Sequence, residues 1–258
     1  MKLSVSNIAW SREHDSAVYG LMRENGYKGL EIAPTRVFPE MPYNQIAQAE
    51  AWAAECEFDI PSMQSIWYGK SGNIFCEREC EALMDYTRKA VDFAQTIRCR
   101  NLVFGCPRNR QIPAPECRSQ AVSFFREIGA YAAAHGCIIG IEANPPIYNT
   151  NFINTTQEAL QFINEVNSPG VMLNLDVGTM IYNNEPVSML KGCVDCISHV
   201  HISEPYLKFI EQRDMHRLLA SLLNGDGYAG YVSIEMARLN KMELIGQVLA
   251  YVKGVFAC

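Results

Sequence analysis

The chain has 258 residues, 48% of them hydrophobic and 19% charged, enough apolar material to bury a sizeable core and too much for a disordered or fibrous chain. A net charge of -6, a pI near 5.4 and the lack of any Lys/Arg run exclude a nucleic-acid footprint, so no nucleic-acid partner is expected and small-molecule chemistry becomes the default. The first residues lack the apolar core and cleavage site of a secretion signal, and no apolar run reaches membrane-spanning length, so we expect a cytoplasmic protein with no membrane partner and reduced cysteines.

Short runs rich in β-branched residues alternate with longer helical patterns along the chain. The expected strands are Leu3–Ile8, Gly29–Ala33, Ile60–Ser65, Asn101–Phe104, Cys137–Glu142, Val171–Asp176, Ile197–Ile202 and Tyr231–Glu235. Between them, Asp15–Asn25, Gln45–Glu55, Glu77–Ile97, Arg118–His135, Thr156–Val166, Pro186–Gly192, Arg213–Leu223 and Lys241–Lys253 carry apolar residues at helical spacing, and Asn154-Thr-Thr-Gln-Glu has the form of a capped helix start. Eight βα units predict a single (β/α)8 TIM barrel over residues 1–258. An open doubly wound sheet would call for a glycine-rich turn after its first strand, and Asn7-Ile-Ala-Trp-Ser has no glycine. Cys193-Val-Asp-Cys196 has metal or redox spacing but no second pair, and Asn224–Gly230 precedes the last strand, so both read as structural.

The last four strands each end in a residue type that binds metals. They read Ile-Ile-Gly-Ile-Glu-Ala-Asn-Pro, Met-Leu-Asn-Leu-Asp-Val-Gly, His-Val-His-Ile-Ser-Glu and Val-Ser-Ile-Glu-Met. From Glu142 to Asp176, His201 and Glu235 the successive intervals are 34, 25 and 34 residues, about one βα unit each, which sets the four at one height on adjacent strands. Strand alternation turns these side chains inward and Ile141, Leu175, Val200 and Ile234 toward the helices. Three carboxylates gathered at a barrel mouth resist ionisation unless a cation neutralises them, so Glu142, Asp176, His201 and Glu235 are expected to bind one divalent metal ion. An O3N donor set suits Mn, Mg or Co, with Zn also compatible.

The order Glu, Asp, His, Glu at this spacing, with Ile-Glu-Ala-Asn-Pro, Leu-Asp-Val-Gly and His-Val-His-Ile-Ser-Glu, resembles the xylose-isomerase-like sugar isomerase/epimerase superfamily, and the match extends over most of the chain. Gly-Leu-Glu-Ile-Ala-Pro-Thr and Leu-Val-Phe-Gly-Cys-Pro are similar to its second and fourth strands. Within it, the chain looks like the tagatose and psicose 3-epimerases, and the resemblance implies that Glu142 and Glu235 are also the catalytic acid/base pair. The expected reaction is proton abstraction next to a metal-chelated carbonyl of a small carbohydrate, through an enediolate, with reprotonation at the same carbon or its neighbour. Inosose dehydratases and hydroxypyruvate isomerases use related ligand sets and stay open as alternatives. A nuclease resembling endonuclease IV would need more histidines than the five here, and a non-catalytic binding barrel would have no use for two acid/base carboxylates.

Thr179, Tyr148 and Leu207 depart from the ketose 3-epimerase pattern, where a histidine, a glutamate and an arginine are usual, which leaves the sugar open. Expected substrate contacts are Lys208 in place of that arginine, Arg108 in the loop after the fourth strand, Trp67 stacking on the sugar, and inward-facing His199 and Glu31. Apolar outer helices are compatible with a homo-oligomer.

Overall fold

The computed structural model describes residues 1–40 and 42–257. Eight strands form one parallel sheet: β1 (Lys2–Ser6), β2 (Gly29–Glu31), β3 (Ser62–Met63), β4 (Asn101–Phe104), β5 (Ile138–Glu142), β6 (Val171–Asp176), β7 (Ile197–Ile202) and β8 (Tyr231–Ile234). The strand order is β2-β1-β8-β7-β6-β5-β4-β3, and its two ends meet through the isolated bridges Gly29–Asp59 and Ile32–Met63. The ring is therefore a (β/α)8 barrel, closed along a seam between β2 and β3.

The helices are α1 (Asp15–Asn25), α2 (Pro34–Val37), α3 (Ile46–Glu55), α4 (Glu77–Thr96), α5 (Arg118–Ala134), α6 (Thr156–Val166), α7 (Val177–Asn183), α8 (Asp214–Gly225) and α9 (Met242–Phe256). The start of α6 is capped as expected: Thr155 Oγ1 accepts from Glu158 N at 3.1 Å, and Glu158 Oε2 accepts from Asn154 N at 2.6 Å. Tyr27, just past α1, donates its hydroxyl to Leu249 O in α9 at 2.9 Å, tying the last helix to the first.

Several segments differ from the sequence expectation. Pro186–Gly192 is not an α-helix but a short 3-10 turn over Val187–Leu190, because α7 has already spanned the face after β6 and ends at a left-handed Asn184 just before the proline. α7 itself starts at the residue directly after β6, so no loop separates strand from helix. The first and third strands are shorter than expected: the chain leaves β1 into a 3-10 turn over Asn7–Ala9, and Ser65 takes a left-handed φ of 55° soon after β3.

Outward strand residues pack under the helices, with Val5, Leu102, Ile141, Leu175, Val200 and Ile234 all fully buried. The inside of the barrel is polar and equally dry. Asn101 Nδ2 donates to Ser62 Oγ at 3.0 Å and Asn174 Oδ1 at 3.2 Å, while Ser198 Oγ donates to Asn101 Oδ1 at 2.7 Å. Buried polar groups persist only when bonded in this way. Gly140 makes room for the network, since a Cβ there would stand 2.7 Å from Asn101 Oδ1. A polar lining leads up to the mouth, where the charged groups gather.

Candidate metal centre at the barrel mouth

Glu142, Asp176 and His201 are carried by β5, β6 and β7, and Glu235 by the residue after β8. Each offers a ligand atom, and these atoms all lie within 4.8 Å of one another. The pairing register explains the convergence: Asp176 stands opposite His201 across β6 and β7, and His201 opposite Ser233 across β7 and β8. His201 Nδ1 lies 2.9 Å from Glu142 Oε1 and 3.3 Å from Glu235 Oε2.

Glu31 defines which nitrogen faces the cluster. It is fully buried and accepts hydrogen bonds from Ser62 Oγ at 2.9 Å and Ser233 Oγ at 2.8 Å, while His201 Nε2 lies 2.9 Å from its Oε1. Burial alone would raise the Glu31 carboxyl, but the His201 and His199 imidazoles outweigh it and hold the group well below the usual carboxylate range. An ionised Glu31 only accepts, so Nε2 carries the proton and Nδ1 presents its lone pair to the carboxylates in the neutral ring. Burial also opposes a charged His201, yet Glu31 and Glu235 pull its pKa well above the ordinary value.

The carboxylates are unequally held. Asp176 is the N-cap of α7: Oδ2 accepts from Thr179 N at 2.8 Å and lies 2.8 Å from the Thr179 hydroxyl, while Oδ1 accepts from Ser203 Oγ. Glu142 takes Asn174 Nδ2 at 2.8 Å and Asn144 Nδ2 at 3.2 Å on its two oxygens. Glu235 has His201 as its hydrogen-bonding side chain. Burial, with added repulsion from Glu142 and Asp176, pushes Glu235 up to about 7 against the pull of His201. Asp176 is raised for the same first reason, burial, and by the charge of Glu142. Both shifts express one deficit, negative charge packed in a dry site, and a divalent cation is what three oxygens and one nitrogen would neutralise there. The donor set fits such an ion.

The structure brings none of the expected substrate contacts into the ligand cluster. Trp67 is 2% exposed, donates Nε1 to Thr87 Oγ1 at 2.9 Å and packs edge-on against Phe104 and Phe124, so it belongs to the core under the helices, not to a sugar platform. His199 is fully buried two residues deeper than His201, with no hydrogen bond from either ring nitrogen, its Nε2 3.7 Å from Glu31 Oε2, and its pKa lowered by burial. Glu31 sits beneath the mouth and reaches His201 instead of solvent. Arg108 is exposed in the turn after β4, and Lys208 is exposed with its ammonium 5.8 Å from the Tyr206 ring, so neither is drawn into the cluster. Arg110 goes the other way: it is fully buried, donates Nη1 to Glu142 O at 2.8 Å, and desolvation pulls it down to about 10.

Residues outside the expected ligands and substrate contacts also shape the site. Gly105 follows β4, and a Cβ there would lie 2.1 Å from Glu142 Oε2. Tyr148, half-buried, is pushed up to about 12 by burial, with added repulsion from Asp176, Glu235 and Glu142, and its hydroxyl accepts from Tyr206 N at 2.8 Å. Tyr206 and Leu207 are consecutive non-glycine residues at φ 64° and 52°, a strained corner after β7. The signal for Gly105 was present in Leu-Val-Phe-Gly-Cys-Pro, where a glycine directly follows an inward-outward strand; no periodicity marks the tyrosines.

With the fold and this cluster in view, the profile of the xylose isomerase-like TIM barrel family matches residues 20–254. The chain belongs to the xylose isomerase-like TIM barrel family. A relative in that direction is an L-ribulose 3-epimerase from Methylomonas sp. (strain DH-1), 33% identical over 96 residues, 37% of this chain. The match spans a third of that relative's own length (33%). Among solved structures, 3-keto-D-glucoside 4-epimerase from E. coli has a TM-score of 0.79 at 21% identity, covering 98% of this chain and 99% of that one. D-Psicose 3-epimerase from Clostridium cellulolyticum H10 has a TM-score of 0.80 at 17% identity, with both chains covered in full (100%). At these identities the structural likeness shows the (β/α)8 fold alone. Among the described residues, no helix is long and apolar enough to cross a membrane.

Proposed function

We propose that the protein is a divalent-metal-dependent sugar isomerase or epimerase in which Glu142 and Glu235 exchange a proton with a carbon next to a carbonyl. The observation that carries this reading is the placement of those two carboxylates around one nitrogen, His201 Nδ1, at 2.9 and 3.3 Å, in a cluster otherwise completed by Asp176. A divalent ion held by Glu142, Asp176, His201 and Glu235, for which Mn, Mg or Co suit the donors and Zn is compatible, would supply polarisation of a carbonyl oxygen.

The chain's own residues divide the remaining work. Asp176, fixed by Ser203 and the start of α7, and His201, fixed by Glu31, keep the ligand frame rigid. Glu235, pushed up to about 7, sits where a group can both take and release a proton near neutral pH. Its few hydrogen bonds leave that carboxylate free to turn. Glu142 faces it across the cluster, its position set by Asn174, Asn144 and the space that Gly105 leaves. Burial keeps bulk water from the carboxylates during the transfer. Relatives named for 3-epimerisation and 4-epimerisation support a carbohydrate substrate for this chain too.

The test is to load the protein with Mn2+, incubate ketoses, sugar phosphates and inososes in D2O, and follow C–H exchange by NMR. Exchange at a carbon beside the carbonyl is expected, lost in Glu142→Gln and Glu235→Gln together with weakened metal binding. If no sugar of any class exchanges, the reading fails. The product distinguishes epimerisation and isomerisation from the elimination that a dehydratase would perform after the same first step.

A further inference from the structure

We propose that a cationic groove beside the ligand cluster holds the anionic end of the substrate, a phosphate ester or carboxylate remote from the reacting carbon; this rests on the isomerase/epimerase reading above. The four ligand-bearing side chains come from β5 to β8, so the opposite part of the mouth is free of them. There, segments just beyond β1, β2, β3 and β8 enclose a cleft of about 600 Å³, within the roughly 300–1,000 Å³ typical of small-molecule sites. Ile8, Ala33 and Ser65 stand two residues past their strand ends and Arg238 three past Glu235, so the cleft opens on the same rim as the carboxylates.

Its charge is opposite to that of the protein around it. Arg36, Lys70 and Arg238 line the cleft, and no Asp or Glu among the described residues does, in a chain of net charge -6. Arg36 is held by Asp15 at 2.5 Å and lies 3.4 Å from Trp10 O, yet its Nε is buried with no partner. Lys70 lies 4.2 Å from the Tyr86 ring centroid, which orients the ammonium without neutralising it. Among the described residues, neither Lys70 nor Arg238 has a carboxylate within ion-pair distance. Tyr68, 71% exposed, adds a flat apolar wall where sugar C–H groups can pack.

A neutral sugar has no use for two uncompensated cations, Lys70 and Arg238, beside a guanidinium whose Nε is unpartnered. A substrate carrying a dianion does, because the carboxylates at the reacting end would otherwise repel it, and guanidinium groups recognise phosphate and carboxylate oxygens in pairs. A molecule whose carbonyl end lies on β5 to β8 extends its far end across the mouth toward this groove. The cations expected there from sequence, Arg108 and Lys208, line neither region.

The test compares the Mn2+-loaded full chain on a ketose, its terminal phosphate ester and the matching uronate, by NMR exchange in D2O, in wild type and in a Lys70→Met/Arg238→Met double variant. Arg217→Met, whose side chain is 75% exposed on α8, is the charge-matched control. We expect kcat/KM for an anionic substrate to exceed that for the neutral ketose by about tenfold or more, and the double variant, unlike the control, to lose that preference. Binding of inorganic phosphate, read by 31P line broadening, is expected in wild type and lost in the double variant. Uronate preferred over phosphate ester, with the same sensitivity to the double variant, keeps the groove and assigns it carboxylate. Phosphate binding that depends on Lys70 and Arg238 with no exchange of any sugar overturns the isomerase reading and leaves the anion site. A neutral ketose turned over as well as its anionic forms, with no change in relative rates in the double variant, overturns the groove and leaves the isomerase reading.

Discussion

Glu31 Oε1 lies 2.9 Å from His201 Nε2, and both side chains are fully buried. The pair fixes ring orientation and tautomer at once, because the two serines that donate to Glu31 leave it nothing to do but accept from the imidazole. A residue expected to touch substrate is thus placed to act through another.

Replacing Glu31 with Gln should lower divalent-metal affinity on the order of 10–100-fold, the range seen when such outer partners are removed. The amide can offer its oxygen to Nε2 but not the charge. Calorimetric titration with Mn2+ checks it, with circular dichroism showing the barrel intact; unchanged affinity would sink the assignment.

The charge cluster gives metal-free protein a pH dependence whose sign follows from linkage. Glu235 is raised from 4.5 to about 7, so in that window the folded state holds a proton that the unfolded state has released, and stability falls as pH rises. Asp176, raised by burial, and His201, raised by its carboxylate neighbours, act in the same direction. Glu31, lowered, contributes stability above the ordinary carboxylate range and loses it only in acid, so it is silent here. His199 and His216, both lowered by burial, act the other way, so the cluster is read against a Glu235→Gln variant that keeps them. Relative to that variant, the Tm of chelator-treated protein should fall from about pH 5 to about pH 8, while added Mn2+ restores more of it at the higher pH because the deprotonated groups are the ligands. A metal-induced rise in Tm that is the same across this range would contradict the account.

Gly105→Ala tests the space around Glu142. The added Cβ meets Oε2 at 2.1 Å, and the end of a flexible side chain can swing away. Little stability is lost, but the ligand is displaced: metal content after dialysis should fall while Tm without metal stays within about 1 kcal/mol equivalent of wild type.

Trp67 separates core from platform. Trp67→Phe removes the bond to Thr87 and should cost about 0.5–2 kcal/mol in denaturant unfolding, and Trp67→Ala about 3–5 kcal/mol. KM for whichever sugar is turned over should not move in Trp67→Phe. A rise in KM without loss of stability would return the indole to the substrate.

The convergence of Glu142, Asp176, His201 and Glu235 was legible because two regularities coincide there: strand alternation names the inward face, and the βα repeat names the height. Where only one applied, the reading went astray. Alternation correctly turned Glu31 and His199 inward but carries no depth, and both lie below the mouth. Trp67 follows Ser65, whose left-handed backbone redirects the chain and carries Ile66 and Trp67 into the core. Arg36, Lys70 and Arg238 come from a four-residue helix and two loops, where no period links sequence to position. The α7 helix was hidden because it starts directly after β6 with no loop between them, although Asp176, its N-cap, marks the boundary.

The closure of the ring has a mechanical consequence. Continuous ladders join β4 through β8 and bind β1 to both its neighbours, whereas β2 meets β3 through isolated bridges, with Leu30 N to Asp59 O at 2.8 Å and Gln64 N to Ile32 O at 2.9 Å among the bonds across it. Local opening is cheapest where such stitching is sparse. The barrel therefore has a stiff arc, which carries the ligands, and a compliant arc, whose loops form the cationic groove. Amide exchange should be fastest across that compliant arc and slowest in the strands that carry the carboxylate frame.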